Sequence, residues 1–357
     1  MGSLRIALYS HDAMGLGHMR RNLLIADVLA REPVGANVLL VSGASELKAF
    51  SLPPGVDSLT LPALRKNPDG SYASRNLDLP LEEMIHLRSE MIQTALRSFA
   101  PDVLIVDKLP RGKLGELESS LRYLRAAGRA RFVLGMRDIL DDPQAVRREW
   151  FRDGSEATLR DYYDAIWIYG DPTVYDSPRE YAFSPAAASK VRYTGYLDPR
   201  SRRNGNGDSV YGEPVPSGPV SLCMVGGGQD GAPLAELFLE GALPLDRLAV
   251  VLTGPYMPSS IRERLQRCTD GHPHLRVLEF LNEPEPLVQR AERVVAMGGY
   301  NTFCEVLCEG KPLLAVPRVR PRTEQLIRAR RFQELGLVEM VHPDEANPAV
   351  FRDWISR

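Results

Sequence analysis

Short apolar runs recur along the chain at intervals that leave room for one helix between most neighbours. In the first half they lie near 4–9, 37–42, 57–61, 102–106, 131–135 and 165–169; in the second, near 219–225, 248–252, 275–280, 294–297, 313–316 and 337–341. They are rich in β-branched residues and leucine, too short for buried helices, and predict strands. Helical spacing fills several of the gaps, including 19–31 and 81–99. Within 81–99, Leu81, Met84, Ile85, Met91, Ile92, Leu96 and Phe99 fall near one face, while the opposite face mixes acids and bases. That mixture predicts core packing rather than a membrane-surface helix. Strand–helix alternation of this kind predicts α/β parallel sheets covered on both faces, the doubly wound class.

One long break interrupts the alternation. Residues 198–218, DPRSRRNGNGDSVYGEPVPSG, are rich in Gly, Pro, Asn and Arg and carry no apolar periodicity, which predicts a linker or mobile loop. The expected domains are then 1–197, 219–345 and a C-terminal helix over 346–357, open to packing back on the first domain. Each half opens with an apolar strand and a glycine loop, ALYSHDAMGLGHMRR and SLCMVGGGQDG. Ligands of such sheets bind at the carboxyl ends of the strands, so the two sheets are expected to face each other across a cleft.

Composition narrows the class without naming a chemistry. The 357 residues exceed a usual single core, and 44% apolar with 25% charged residues is ordinary for a soluble globular protein. A net charge of −2 and a pI near 6.4 argue against general nucleic-acid binding. Nothing resembles a signal peptide, and no apolar run approaches the roughly 20 residues of a membrane span. The four cysteines lack C-x-x-C spacing, which fits reduced thiols and a cytoplasmic location. Cys304 and Cys308 share a helix face, but no second Cys/His pair accompanies them, so buried packing is expected.

The richest stretch is 294–325, VVAMGGYNTFCEVLCEGKPLLAVPRVRPRTEQ. A strand over 294–297 runs into Gly298-Gly299, and a helix is expected to begin at about Thr302 and close at Gly310. Paired glycines between strand and helix let a ligand approach bare backbone, and the helix N-terminus favours an anion. Nearby Asn301, Glu305, Glu324 and Gln325 suit a polyol. Glu305 has two open readings. Thr302-x-x-Glu305 has the spacing of a capping box, and the same carboxylate is placed to accept bonds from ribose hydroxyls.

Three other features carry chemistry. The loop Gly226-Gly227-Gly228-Gln229-Asp230-Gly231 can present amides to a phosphate or simply form a tight turn; it is neither a Walker A loop nor a G-x-G-x-x-G in register. His18, after Gly17 at the start of a helix, can take a proton near neutral pH, and Asp107, ending its strand, is the carboxylate that would orient it. A backbone-bonded helix-start histidine and a strand-end cap are the plain alternatives, and His11 is a rival base. Seven basic residues between Lys311 and Arg331 face one acid, Glu324, and among them Arg318, Arg320 and Arg322 sit in a proline-broken loop. No D-x-D occurs, which weakens the case for a metal bridging a diphosphate. Arg137-Asp138 and Tyr169-Gly170-Asp171 follow strands at the same sheet edge, without an assignable role.

Taken together, Gly15-x-Gly17-His18, Gly226–Gly228, Gly298-Gly299-x-x-Thr302-x-x-Glu305 and Glu324-Gln325 resemble the two-domain glycosyltransferases of GT-B fold, family 28 type. That type includes the lipid II N-acetylglucosaminyl transferase and a bacterial "predicted glycosyltransferase" branch. The resemblance implies two Rossmann-like domains and a nucleotide-diphospho sugar, UDP-linked first of all, as co-substrate without cofactor or metal. Glu305 would hold the ribose, and Gly298, Gly299 and Gly228 would lie by the diphosphate. Glu324 and Gln325 would meet sugar hydroxyls, the backbone at Phe280-Leu281 would read the base, and His18 would be the general base of an inverting transfer. A hydroxyl or amine of a small soluble acceptor, and a monomer or homodimer, complete the expectation. The family loop usually carries serine where this chain has Gly228-Gln229-Asp230. The run Gly-Leu-Gly-His-Met-Arg-Arg is also similar to nucleotide-sugar hydrolases of nonulosonic acid synthesis, in which water is the acceptor, and a non-catalytic nucleotide-sugar-binding partner protein is a third reading.

Overall fold

The computed structural model describes residues 3–11, 17–44, 47, 50–67, 71–202, 219–228, 230–281 and 283–357. The chain divides into two compact units, Met1–Leu197 and Asp198–Arg357. The first contains β1 (Arg5–Ser10), α1 (Gly17–Ala30), β2 (Asn37–Ser42), β3 (Val56–Thr60), β4 (Leu64–Lys66), β5 (Tyr72–Ser74) and α2 (Leu81–Phe99). It continues through β6 (Val103–Asp107), α3 (Glu118–Ala127), β7 (Arg131–Arg137), α4 (Pro143–Arg152), α5 (Ser155–Tyr162) and β8 (Ala165–Tyr169). Two single-turn helices, α6 (Ser177–Glu180) and α7 (Pro185–Ala188), precede β9 (Val191–Tyr193). Seven strands form one sheet in the order β3-β2-β1-β6-β7-β8-β9, parallel throughout.

The second unit runs β10 (Val220–Met224), α8 (Ala232–Ala242), β11 (Ala249–Leu252), α9 (Ser259–Arg267), β12 (Leu275–Leu278), α10 (Glu285–Arg290) and β13 (Ala291–Ala296). It ends with α11 (Tyr300–Cys308), β14 (Leu313–Ala315), α12 (Glu324–Glu334), β15 (Glu339–Met340) and α13 (Pro348–Ser356). Its six strands are also parallel, in the order β12-β11-β10-β13-β14-β15. Every residue of β10 and β11 is buried, as central strands covered on both faces must be. Both sheets are therefore of the doubly wound kind that the alternation predicts.

Several details depart from expectation. The hairpin β4–β5 and the edge strand β9 have three residues each, too few to show a period. The helix at 81–99 matches its predicted span, yet its buried row is Met84, Arg88, Ile92 and Leu96, with a cation in the middle. The C-terminal helix, α13, buries Phe351, Trp354 and Ile355 in the core of the second unit. Gly241 of α8 admits the approach, because a Cβ there would lie 2.7 Å from the Pro348 carbonyl. Burying those three side chains contributes on the order of 2 kcal/mol each. Of the expected linker, Pro199–Arg202 forms a 3-10 turn packed on α11, and 203–218 lie outside the described residues. Cys304 is buried, as packing requires, and no helix among the described residues is long and apolar enough to cross a membrane.

Candidate functional site

Each sheet reverses its strand order once, between β1 and β6 in the first unit and between β10 and β13 in the second. At such a reversal the loops leave neighbouring strands in opposite directions and open a crevice at their carboxyl ends. β1 leads through His11 toward α1, and β6 ends on Asp107. β10 leads into Gly226–Gly228, and β13 into Gly298-Gly299. The histidine, the aspartate and both glycine loops thus fall at the two reversal points.

In the first unit, α1 begins at Gly17, and residues 12–16, including Gly15, lie outside the described residues. His18, on the first turn, places Nδ1 against Asp107 Oδ2. Asp107 is buried, and one turn further along α1 the buried Arg21 lies 3.0 Å and 3.3 Å from its two carboxylate oxygens. Burial alone would raise the Asp107 carboxyl; Arg21 and then His18 outweigh it and hold the group well below the usual carboxylate range. An ionised carboxylate only accepts, so a neutral His18 that donates to it does so from Nδ1 and keeps its lone pair on Nε2. Arg21 Nη2 is also in hydrogen-bond contact with His18 Nδ1, at 2.8 Å, so that ring nitrogen faces both the carboxylate and the guanidinium. His18, Asp107 and Arg21 form a triad in which Arg21 is the member that sequence reasoning missed. Its signal was present: Arg21 is three residues from His18 on the same helical face.

The His11 ring lies 4.8 Å from the His18 ring, tilted by 57° to it. Burial, then His18, Lys108 and Lys113, push His11 well below the usual imidazole range, with Asp107 opposing. Behind the triad, Arg88 of α2 and Glu116 are both fully buried, joined at Arg88 Nη2–Glu116 Oε1 by a 2.9 Å bond, and Tyr9 of β1 donates its hydroxyl to the same carboxylate. Tyr169, at the end of β8, is 1% exposed and lies over Gly135, where a Cβ would come within 2.0 Å of its hydroxyl. Gly135 is the register partner of Asp107. Asp138 is buried, accepting from the Ile139 amide at 2.6 Å and the Tyr196 hydroxyl at 3.2 Å.

The second unit is built differently. Gly226 and Gly227 are exposed, whereas Gly228, at φ +89°, is buried with its Cα hydrogen facing the Thr253 carbonyl; a Cβ there would be 2.2 Å from that oxygen. The Tyr256 amide donates to the Gly227 carbonyl at 2.9 Å. The tight-turn reading therefore accounts for Gly228, and Gly226 and Gly227 are left bare on the outer side. Gln229 lies outside the described residues. Phe280 and Leu281 follow the edge strand β12, with Leu281 buried.

Helix α11 starts at Tyr300, two residues before the expected point, because Tyr300 and Phe303 are both buried there. Its N-cap is Gly299, which has no side chain to cap the first turn. The capping-box reading of Glu305 fails for this reason: Thr302 is the third residue of the helix, not the cap, and Glu305 lies a turn too late. Asn301 is on the first turn, and Thr302 and Glu305 are buried. Gly298 is required by packing, since a Cβ would be 2.8 Å from the Gln325 carbonyl. Its amide donates to Gln325 Oε1 at 3.1 Å, the Arg318 amide donates to the same oxygen at 3.0 Å, and its carbonyl accepts from the fully buried Arg328 at 2.8 Å. Both lone pairs of the Gln325 amide oxygen are occupied, leaving its NH₂ group to offer a ligand. Glu324, the first residue of α12, is 3% exposed and bonded by Arg318.

Comparison with known proteins agrees with this division. Residues 221–353 match the glycosyltransferase family 28 C-terminal domain. A UDP-N-acetylglucosamine--N-acetylmuramyl-(pentapeptide) pyrophosphoryl-undecaprenol N-acetylglucosamine transferase of Phenylobacterium zucineum is 32% identical over 142 residues, 39% of each chain. The chain thus spans about two fifths of the length of that curated relative. Over its full length it superposes on a UDP-glucosyltransferase from Polygonum tinctorium, with a TM-score of 0.66 at 14% identity, covering 100% of this chain and 90% of that one. A putative UDP-N-acetylglucosamine 2-epimerase from Listeria monocytogenes superposes with a TM-score of 0.63 at 13% identity, covering 100% and 89%. The architecture is GT-B, with two Rossmann-like domains, and the C-terminal domain is of the family 28 kind.

Proposed function

We propose that the protein is a glycosyltransferase that moves a sugar from a nucleotide-diphospho donor, UDP-linked first of all, to a hydroxyl of a small acceptor. The observation that carries this reading is the glycine N-cap of α11 at the reversal point of a sheet within residues 221–353, which match the family 28 C-terminal domain. First-turn amides and a helix N-terminus offer the departing diphosphate fixed dipoles that need no reorganisation. Glu305, freed from capping by the actual helix start, is assigned to the ribose, and Glu324 with the Gln325 NH₂ group to the sugar hydroxyls.

His18 supplies the other half of the chemistry. Nε2 takes the proton of the acceptor hydroxyl as its oxygen bonds to the anomeric carbon, with inversion; the carbon–oxygen bond to the diphosphate breaks, and the nucleoside diphosphate leaves with the electron pair. Asp107 stabilises the imidazolium that forms, and Arg21 keeps Asp107 ionised while doing so. The diphosphate charge is assigned to amides rather than to a metal, in keeping with the lack of D-x-D in the sequence.

Incubation with UDP-sugars, with and without an acceptor panel, tests the assignment by product analysis. The expected result is acceptor-dependent release of UDP with sugar on the acceptor. Rapid, complete hydrolysis without acceptor would replace the transferase by the hydrolase reading, and donor binding without any turnover would leave a non-catalytic binding protein.

A further inference from the structure

Arg318 makes three contacts from one position on the loop after β14. Its Nη1 is 3.2 Å from Asp230 Oδ2, on the loop that carries Gly226–Gly228. Its Nη2 donates to Glu324 Oε1, and its backbone amide donates to Gln325 Oε1 at 3.0 Å. The two carboxylates it joins are unlike. Asp230 is 44% exposed, so that arm is screened and weak; Glu324 is 4% exposed in its side chain, so that arm is a charge-assisted bond away from water. The guanidinium therefore acts chiefly on Glu324, and it fixes which way that carboxylate faces.

We propose that Arg318 is a positioning residue that sets which sugar the donor site accepts, by holding the Glu324 carboxylate in one orientation. This rests on the reading that Glu324 meets the donor's sugar. A carboxylate free to rotate accepts bonds from hydroxyls in several arrangements and discriminates poorly between epimers. One oxygen held by a guanidinium puts the other at a defined place, and a sugar whose hydroxyl does not meet the carboxylate there forgoes a charge-assisted bond. Lysine would keep the positive charge but not the planar grip that spans Asp230 and Glu324.

Calorimetric titration with UDP, UDP-glucose, UDP-galactose and UDP-N-acetylglucosamine separates this role from a purely structural one. In the wild-type protein the three sugar nucleotides are expected to differ in affinity by about tenfold or more between best and worst. In Arg318→Lys the spread should fall below about threefold, with UDP alone within about twofold of wild type. Glu324→Gln, which keeps the side-chain volume, should show the same collapse, and Asp230→Asn should leave the spread intact. A spread retained in both Arg318→Lys and Glu324→Gln, or no spread in the wild type, overturns the inference alone. A wild-type protein that binds none of the four probes overturns the donor reading and the inference with it.

Discussion

The two sheet ends are built of different materials. In the first unit the end of the sheet is made of side chains: His18, Asp107 and Arg21 form one bonded group, and Tyr9, Arg88 and Glu116 form another. In the second unit the bare surface is main chain, and side chains such as Gln325 and Arg328 are bonded to the Gly298 peptide. A side-chain site holds protons and can lose its chemistry while keeping its shape. A main-chain dipole holds charge by geometry and is lost when its shape changes or a neighbour fills it.

That contrast predicts separable failures. His18→Ala should lower kcat by about 10²- to 10⁴-fold while donor affinity, measured by calorimetry, stays within about twofold. Turnover retained in that variant would move the base away from His18. Gly228→Ala, at positive φ and 2.2 Å from a carbonyl, should destabilise the second unit by about 2 kcal/mol or more, seen as a lower midpoint in denaturant. Gly227→Ala, with Tyr256 Cδ2 3.6 Å away as its nearest neighbour, should change stability by less than about 0.5 kcal/mol and weaken donor binding instead.

Smaller effects sharpen the comparison. Glu305→Gln should weaken donor affinity by about tenfold with little change in Tm, since the carboxylate no longer has a capping duty. A large loss of Tm with unchanged affinity would make Glu305 structural after all. The smallest effect concerns pH. His11, facing His18, Lys108, Lys113 and Asp107, has a folded pKa pushed well below that of the unfolded chain. Between the two values the unfolded state binds the extra proton, so stability is full above about pH 6.5 and falls as pH drops below it, by at most about 1.4 kcal/mol per pH unit. His11→Gln should flatten the Tm profile between about pH 7.5 and 5.5; an unchanged slope would place the titrating group elsewhere.

Legibility followed the same division. The strands, both glycine loops and the meeting of His18 with Asp107 were readable because each depends on local patterning plus one rule of parallel sheets. The start of α11 was misplaced because Thr302-x-x-Glu305 has the spacing of a capping box, while burial of Tyr300 and Phe303 decides the actual boundary. The occupation of the Gln325 oxygen by Gly298 and Arg318 is a tertiary fact, invisible to spacing. Arg88 reads as one polar residue on an otherwise apolar helical row, and nothing near it in sequence announces Glu116.

The Arg88–Glu116 pair also constrains how the chain can drift. Either residue replaced alone leaves the other as an uncompensated charge in a dry interior, a loss of about 3–5 kcal/mol, whereas two apolar residues of similar volume could replace the pair at little cost. Positions 88 and 116 should therefore change together in any descendant of this sequence, and Tyr9, whose hydroxyl donates to the same carboxylate, should follow them to phenylalanine.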